Sequence, residues 1–258
     1  MTFLKIAERL ADAAAEQTLA RFRTSELSAD NKASERFDPV TEADRAAEAA
    51  MRKLLSKDRP SDGVLGEEDE DIPSQSGYTW VLDPIDGTRA FISGLPVWGT
   101  LIALNQGDAP ILGVIDQPYI GERFLADDTC AIHRKGGVET QLAVRSCAAL
   151  SEATVFSTFP EVGSPAEGEA FHKVARQCRL TRYGTDCYAY GLLALGQIDL
   201  VIEAGLYAYD IQGPMAVVKG AGGIVSSWDG GPAHQGGRVI AAGDPRVHAA
   251  ALEVLSEA

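Results

Sequence analysis

Trp80-Val81-Leu82-Asp83-Pro84-Ile85-Asp86-Gly87-Thr88 is the stretch that decides how this chain is read, because a β-rich run stops in two carboxylates and a Gly-Thr step. Two Asp side chains and a main-chain carbonyl at a strand end are hard oxygen donors, and the Gly-Thr amides can face a phosphate. Asp-Pro and Asp-Gly are also ordinary turn dipeptides, so the run alone fits a plain surface turn about equally well. Other acidic segments tip that balance. Asp38 and Asp44 lie in Phe37-Asp38-Pro39-Val40-Thr41-Glu42-Ala43-Asp44, Glu67 and Glu68 follow Gly66, and Asp210 precedes Ile211-Gln212-Gly213-Pro214. Four segments that set acids beside Gly, Pro or a short apolar run read as one assembled site for metal-assisted phosphate ester hydrolysis.

Composition narrows the alternatives. A chain of 258 residues with 45% hydrophobic residues can bury a large core, as one domain or two packed halves, and is not of disordered type. No stretch holds the roughly 18 to 20 apolar residues of a membrane helix. The N-terminus spaces Phe3, Ile6, Leu10 and Leu19 among charges, which predicts an amphipathic surface helix instead of a secretory signal and a cytoplasmic setting. Cys130, Cys147, Cys178 and Cys187 form no C-x-x-C pair, and the four histidines show no ligand spacing, so the cysteines read as plain thiols and the histidines receive no chemistry. The net charge of −14 argues against nucleic acid as the main partner, since phosphate backbones repel an acidic surface.

Hydrophobic period divides the chain. Ala43, Ala47, Ala50, Met51, Leu54 and Leu55 form a helical stripe to about Lys57, with Thr41 and Asp44 in capping-box spacing at its start. From Val64 to Thr140 the pattern is strand-like: 64–65, 80–82, 98–104, 111–115, 123–126 and 131–133. After about Arg145, strands around Val155 and Leu180 and over 198–202 alternate with helices near 169–177, 186–195, 211–219 and 246–255. The expected organisation is an α+β half over 1–144 that carries the metal motifs, completed by an α/β half over 145–258.

The order D-P-V-T-x-x-D, G-E-E, D-P-I-D-G-T and a late aromatic-Asp resembles the inositol monophosphatase family along nearly the whole chain. Within it, Arg89-Ala90-Phe91 and the following small-residue turn are most similar to the histidinol-phosphatase branch. The resemblance implies a layered αβαβα sandwich of the inositol monophosphatase and fructose-1,6-bisphosphatase type. It also implies roughly two or three Mg²⁺ ions per site, a small phosphorylated metabolite as substrate, a homodimer and sensitivity to Li⁺. Position by position, Glu67, Asp83, the Ile85 carbonyl, Asp86 and Asp210 match the family's metal ligands. Glu68 matches a water-orienting group, and Asp44 matches the residue that pairs with the motif threonine, Thr88, to polarise the attacking water.

Local accounts stand beside these roles. Acidic runs such as 67–71 are usually solvated loop, so Asp69, Glu70 and Asp71 stay with that reading. Asp44 doubles as a helix cap, and Asp210 and Asp186 also suit capping positions. Gly87, Thr88 and Arg89 open a segment able to start a helix, where backbone amides meet a phosphate. Gly184, Thr185 and Asp186 end one strand and Glu203 another, and ligands of open sheets bind at such ends. Asp186 and Glu203 together form an anionic wall suited to an amine or imidazolium. Tyr209 stands where many relatives carry Trp, Gln212-Gly213-Pro214 replaces a small Ala-rich segment, and Lys32 is one position off a family lysine.

The leading expectation is hydrolysis of L-histidinol phosphate by direct water attack. An inositol-1-phosphatase or broad sugar-phosphate phosphatase is the alternative. An aspartyl-phosphate mechanism is disfavoured because its D-x-D-G-T signature spaces the acids two apart, whereas Asp83 and Asp86 are three apart. An RNA-associated regulatory partner is the non-enzymatic alternative.

Overall fold

The computed structural model describes residues 2–25, 29–31 and 39–256; Lys32 and Asp38 lie outside the described residues. Helix α1 (Phe3–Leu19) starts where the Thr2 hydroxyl accepts the Lys5 amide, and it buries Ile6, Leu10 and three alanines. Leu19, expected in the same apolar stripe, is exposed. A short pair, β1 (Ala29–Asn31) and β2 (Pro39–Thr41), leads into α2 (Glu42–Asp58). The expected capping box is present: the Thr41 hydroxyl accepts the Ala43 amide, and Asp44 Oδ2 accepts the Thr41 amide at 2.9 Å.

A seven-stranded sheet follows, ordered β3 (Gly63–Gly66), β4 (Tyr78–Asp86), β5 (Gly99–Gln106), β6 (Ala109–Gln117), β7 (Glu122–Ala126), β8 (Ala131–Lys135) and β9 (Val138–Gln141). Only β3 and β4 run parallel among neighbours. Between β4 and β5 lies the short helix α3 (Thr88–Ile92). The sequence reading stops the first long strand at Leu82, whereas β4 continues through both aspartates. It also leaves out β9, all of whose residues are exposed, so no apolar alternation marks it.

The second half supplies β10 (Thr154–Ser157), α4 (Pro165–Ala175), β11 (Leu180–Tyr183), α5 (Tyr188–Ala194), β12 (Leu200–Leu206), α6 (Ala208–Gly220), β13 (Ile224–Ser227), β14 (Gly237–Ala242) and α7 (Pro245–Leu255). Its five-stranded sheet is ordered β11-β10-β12-β14-β13, parallel across the first three and antiparallel at β14. Two expectations need correction. Glu203 does not end its strand but lies within β12, at a register shift against β14. Asp186 is not a helix cap, because α5 begins two residues later and Asp186 has a left-handed backbone, φ 43°.

The layers are αβαβα. α1 and α2 cover one face of the large sheet through Leu10, Met51, Leu55, Trp80, Leu82 and Leu104. α5 and α6 fill the space between the sheets, with Leu193, Ile211, Met215 and Val218 against Leu101, Ile115 and Phe124 on one side and Val201, Val239 and Ala241 on the other. α4 and α7 cover the far face of the small sheet through Phe171, Val174, Val247 and Leu255. All four cysteines are free thiols, and among the described residues no helix is long and apolar enough to cross a membrane.

Glycine sets the closest approach in the middle layer. A Cβ at Gly113 of β6 would overlap the Gly213 carbonyl oxygen of α6 and come within 2.7 Å of Ala216 Cβ. Gly113→Ala therefore has to push α6 off the sheet, an overpacking that costs about 1–3 kcal/mol. Urea denaturation is expected to show a lower midpoint for this variant; an unchanged midpoint contradicts the packing described.

Candidate active site

In a regular strand, residues three apart point to opposite faces. Asp83 and Asp86 escape that rule through a bulge. The register passes from Asp83 opposite Leu101 to Asp86 opposite Gly99, so three steps along β4 match two along β5. Pro84 lies inside the irregularity, where its missing N–H is tolerated. The bulge turns both carboxyl groups toward the start of α6, and Asp83, Asp86 and Asp210 each bring an oxygen within 4.8 Å of the others.

Each acid is held by its own element. Asp210, in the first turn of α6, accepts the Tyr207 amide on Oδ2 at 2.6 Å. Asp86 Oδ2 accepts the Cys187 amide at 2.6 Å, tying the large sheet to the turn before α5. Glu67, just after β3, shares a side-chain hydrogen bond with Asp83. Gly87 follows with φ 81°, and a Cβ there would lie 2.8 Å from Asp186 Cγ, so both backbone sign and space favour glycine.

These groups open onto a cleft of about 610 Å³. Of the residues expected from sequence, Glu67, Asp83, Ile85, Asp86, Gly87, Thr88, Arg89, Asp186, Glu203 and Asp210 line it. Gly184, Thr185, Asp44 and Glu68 do not. The Gly184 amide instead donates to the Ser157 and Thr158 carbonyls, joining the ends of β10 and β11. Asp44 and Thr88 make no hydrogen bond to each other: the Thr88 hydroxyl donates to the Ile85 carbonyl at 3.2 Å, and Asp44 Oδ2 serves Thr41. The second Asp44 oxygen is buried with no partner.

Sequence reading missed one wall of the cleft, formed by Thr158, Phe159, Glu161, Val162 and Gly163. The Gly- and Pro-containing loop after a parallel strand was the available signal. There the Arg89 guanidinium lies 5.2 Å over the Phe159 ring. Glu203 accepts the Thr158 amide at 2.7 Å, the Thr158 hydroxyl at 2.9 Å and the Ser157 hydroxyl at 3.3 Å.

Burial and like charge dominate the electrostatics. Burial pushes the Asp83 carboxyl well above its ordinary range, and the charges of Glu67, Asp86 and Asp210 add to this. Asp86 is pushed up to about 7 by burial and then by Asp210, against the Cys187 amide. Asp186 rises to about 7 through burial and the Asp86 charge, with Arg89 opposing. Burial carries Glu203 to about 8 and Asp44 to about 6, in each case against hydrogen bonds that favour the ionised form.

Asp83 Oδ1 is buried with no hydrogen-bond partner, a costly state for a carboxylate unless a proton or a cation supplies the counterpart. Hard oxygen donors converging around such an atom suit Mg²⁺, so the residues present fit a divalent cation held by Asp83, Asp86 and Asp210 with Glu67 alongside.

Comparison with known proteins agrees with this geometry. Residues 1–258 match the model of the inositol monophosphatase family. The chloroplastic bifunctional phosphatase IMPL2 of Arabidopsis thaliana is 39% identical over 264 residues, covering 98% of this chain and 75% of that protein. A histidinol-phosphatase of Mycobacterium tuberculosis is 37% identical, covering 92% of each. Among solved structures, an inositol monophosphatase from Zymomonas mobilis superposes with a TM-score of 0.86 at 42% identity, covering 98% of this chain and 97% of that one.

The raised carboxyls have a consequence for stability. Folded and metal-free, Asp83 and Asp86 keep protons that the unfolded chain releases above about pH 4. Their contribution to stability therefore falls as pH rises from there through about 7, and a bound cation, which favours the ionised pair, offsets the loss. Calorimetry at about pH 6 and about pH 8 is expected to show the larger Mg²⁺-induced rise in Tm at the higher pH. An equal or smaller rise there contradicts the assignment.

Proposed function

The chain belongs to the inositol monophosphatase family, and from that premise we propose that it is a Mg²⁺-dependent phosphatase of L-histidinol phosphate, releasing L-histidinol and inorganic phosphate. Its class, phosphoric monoester hydrolase, goes with the family and its named relatives. The observation that carries the metal reading is the convergence of Asp83, Asp86 and Asp210 around a carboxylate oxygen that lacks a partner.

When bound, the cation supplies charge that polarises the phosphoryl group and acidifies a water. The chain's own residues do the rest. Glu67, Asp83, Asp86, Asp210 and the Ile85 carbonyl hold the positive charge at the cleft floor. Gly87 and Thr88 offer backbone amides to the phosphate, and Arg89 adds a cation at the rim. Thr88, which lines the cleft, orients the attacking water, while Glu68 and Asp44 stand behind the lining and act on it through their charge. Water adds its oxygen to phosphorus, the bond to the ester oxygen breaks, and the substrate alcohol leaves after taking up a proton. A homodimer and inhibition by Li⁺ belong to the same reading.

The substrate assignment is supported by the carboxyl groups of Asp186 and Glu203, which burial holds largely protonated near neutral pH and which a cationic substrate would ionise. Asp186, beside Asp86 and Gly87, and Glu203 line the same cleft, where an amine or imidazolium gains from carboxyl groups, and a histidinol-phosphatase is 37% identical. A second reading, inositol-1-phosphatase, is favoured by Glu203, whose bonds to Thr158 and Ser157 make it part of a polar network suited to hydroxyl groups. The Zymomonas mobilis relative is named an inositol monophosphatase.

Two measurements test these points. Steady-state kcat/KM with Mg²⁺ is expected to favour L-histidinol phosphate over inositol-1-phosphate by at least about tenfold. The reverse preference replaces the substrate and leaves the hydrolase, while no turnover of either ester overturns both. Asp83→Asn is expected to lower kcat/KM by more than the roughly 10–100-fold typical of a group that stands behind a ligand. Turnover close to that of the unchanged protein removes Asp83 from the metal set.

A further inference from the structure

The loop 67–71, which carries Glu67 and Glu68, is gripped from beneath by two residues of α2 that the chemistry above does not use. Glu48 has no exposed surface; its Oε2 accepts the Glu68 amide at 2.9 Å, and its Oε1 accepts the Asp69 amide at 3.1 Å. Arg52, one turn further on, donates through Nε to Glu48 Oε1 at 2.7 Å. Its Nη1 and Nη2 reach the Glu70 and Asp69 carbonyls, both at 3.0 Å. The pair thus holds amides and carbonyls of consecutive peptides at once, with charge-assisted bonds on both sides.

The fit leaves no slack. A Cβ at Gly66, the residue before Glu67, would overlap Glu48 Oε1 and lie 2.5 Å from Arg52 Nη2. Asp44 sits one turn before Glu48 on the same helix, and the charge of Glu68 reaches Asp44. Without a clamp, five consecutive acids repel one another and spread toward solvent. Neither Glu48 nor Arg52 lines the cleft, so any effect on the site passes through the loop.

We propose that Glu48 and Arg52 are positioning residues that fix Glu67 and Glu68 in place and thereby set the site's affinity for its divalent cation. The inference rests on the Mg²⁺-phosphatase reading. Groups that orient a metal ligand are worth about 10–100-fold in affinity. Glu48→Gln keeps the shape of the side chain but can accept only one of the two amides well, and it removes the charge that Arg52 answers. Arg52→Lys keeps the charge and loses the fork.

Calorimetric titration of Mg²⁺ into the full chain without substrate tests this, with hydrogen exchange of the loop amides as a second readout. Glu48→Gln is expected to weaken Mg²⁺ by about tenfold or more and to speed exchange at Glu68 and Asp69. KM for the ester at saturating Mg²⁺ is expected to stay within about twofold. Arg52→Lys moves both readouts in the same direction by less. Gly66→Ala reproduces the Glu48→Gln effect, and the double variant is no worse than either alone. Should Glu48→Gln fail to fold, Arg52→Lys and Gly66→Ala decide by the same criteria. Glu67→Gln separates the two levels of the argument. If Glu67→Gln weakens Mg²⁺ while the clamp variants bind within about twofold of the unchanged protein, the clamp is overturned and the phosphatase reading stands. No Mg²⁺ binding by the unchanged protein overturns both.

Discussion

Holding several carboxylates of like charge together at the edge of a dry core is the constraint on which the rest of this structure depends. At the 4.8 Å limit that bounds the Asp83, Asp86 and Asp210 oxygens, two ionised groups repel by roughly 3–4 kcal/mol at an effective dielectric of 20. A soft scaffold would relax and let the acids separate. Here Asp83 and Asp86 share a strand hydrogen-bonded on both sides, and Asp210 sits on a helix pressed onto the neighbouring strands with glycine facing glycine. The scaffold thereby holds the acids together against that repulsion, which protons or a cation relieve.

That arrangement needs both sheets. The large sheet contributes Glu67, Asp83 and Asp86, the middle layer contributes Asp210, and the small sheet with its loops contributes Thr158, Asp186 and Glu203. The core between the sheets locks these contributions together, since Ile211 and Met215, directly after Asp210, pack within it. The bond from the Cys187 amide to Asp86 is a second link between the halves at the site itself. The acidic cluster and the packing of the middle layer are therefore built on the same elements.

Much of the architecture was legible because hydrophobic period reports burial. The α2 stripe with its Thr41–Asp44 box, the strands of the large sheet's centre and the acids of the D-P-I-D-G-T segment all stand where the residues point. The solvent-exposed β9 gave no such signal, whereas β13 and β14 escape the sequence reading although Val239 to Ala242 form a fully buried apolar run. The bulge in β4 was hidden for a different reason. Three-residue spacing in a strand argues against convergence, and only the pairing with β5 reverses it. The Thr158–Gly163 wall was hidden too, because the cleft it closes is built from segments that meet only in the folded chain. Glu48 and Arg52 draw no notice in the sequence, where an acid and a base four apart on a helix are common, and only burial and the bonds to the loop backbone distinguish them.

The central claim, that the distant acids form one cation-binding pocket, is tested most directly by anomalous diffraction from crystals soaked in Mn²⁺, an oxygen-preferring ion that takes Mg²⁺ sites. The account predicts an anomalous peak between Asp83, Asp86 and Asp210, within coordination distance of the Asp83 oxygen that lacks a partner. A map with no peak there, or with peaks only at other carboxylates, contradicts it.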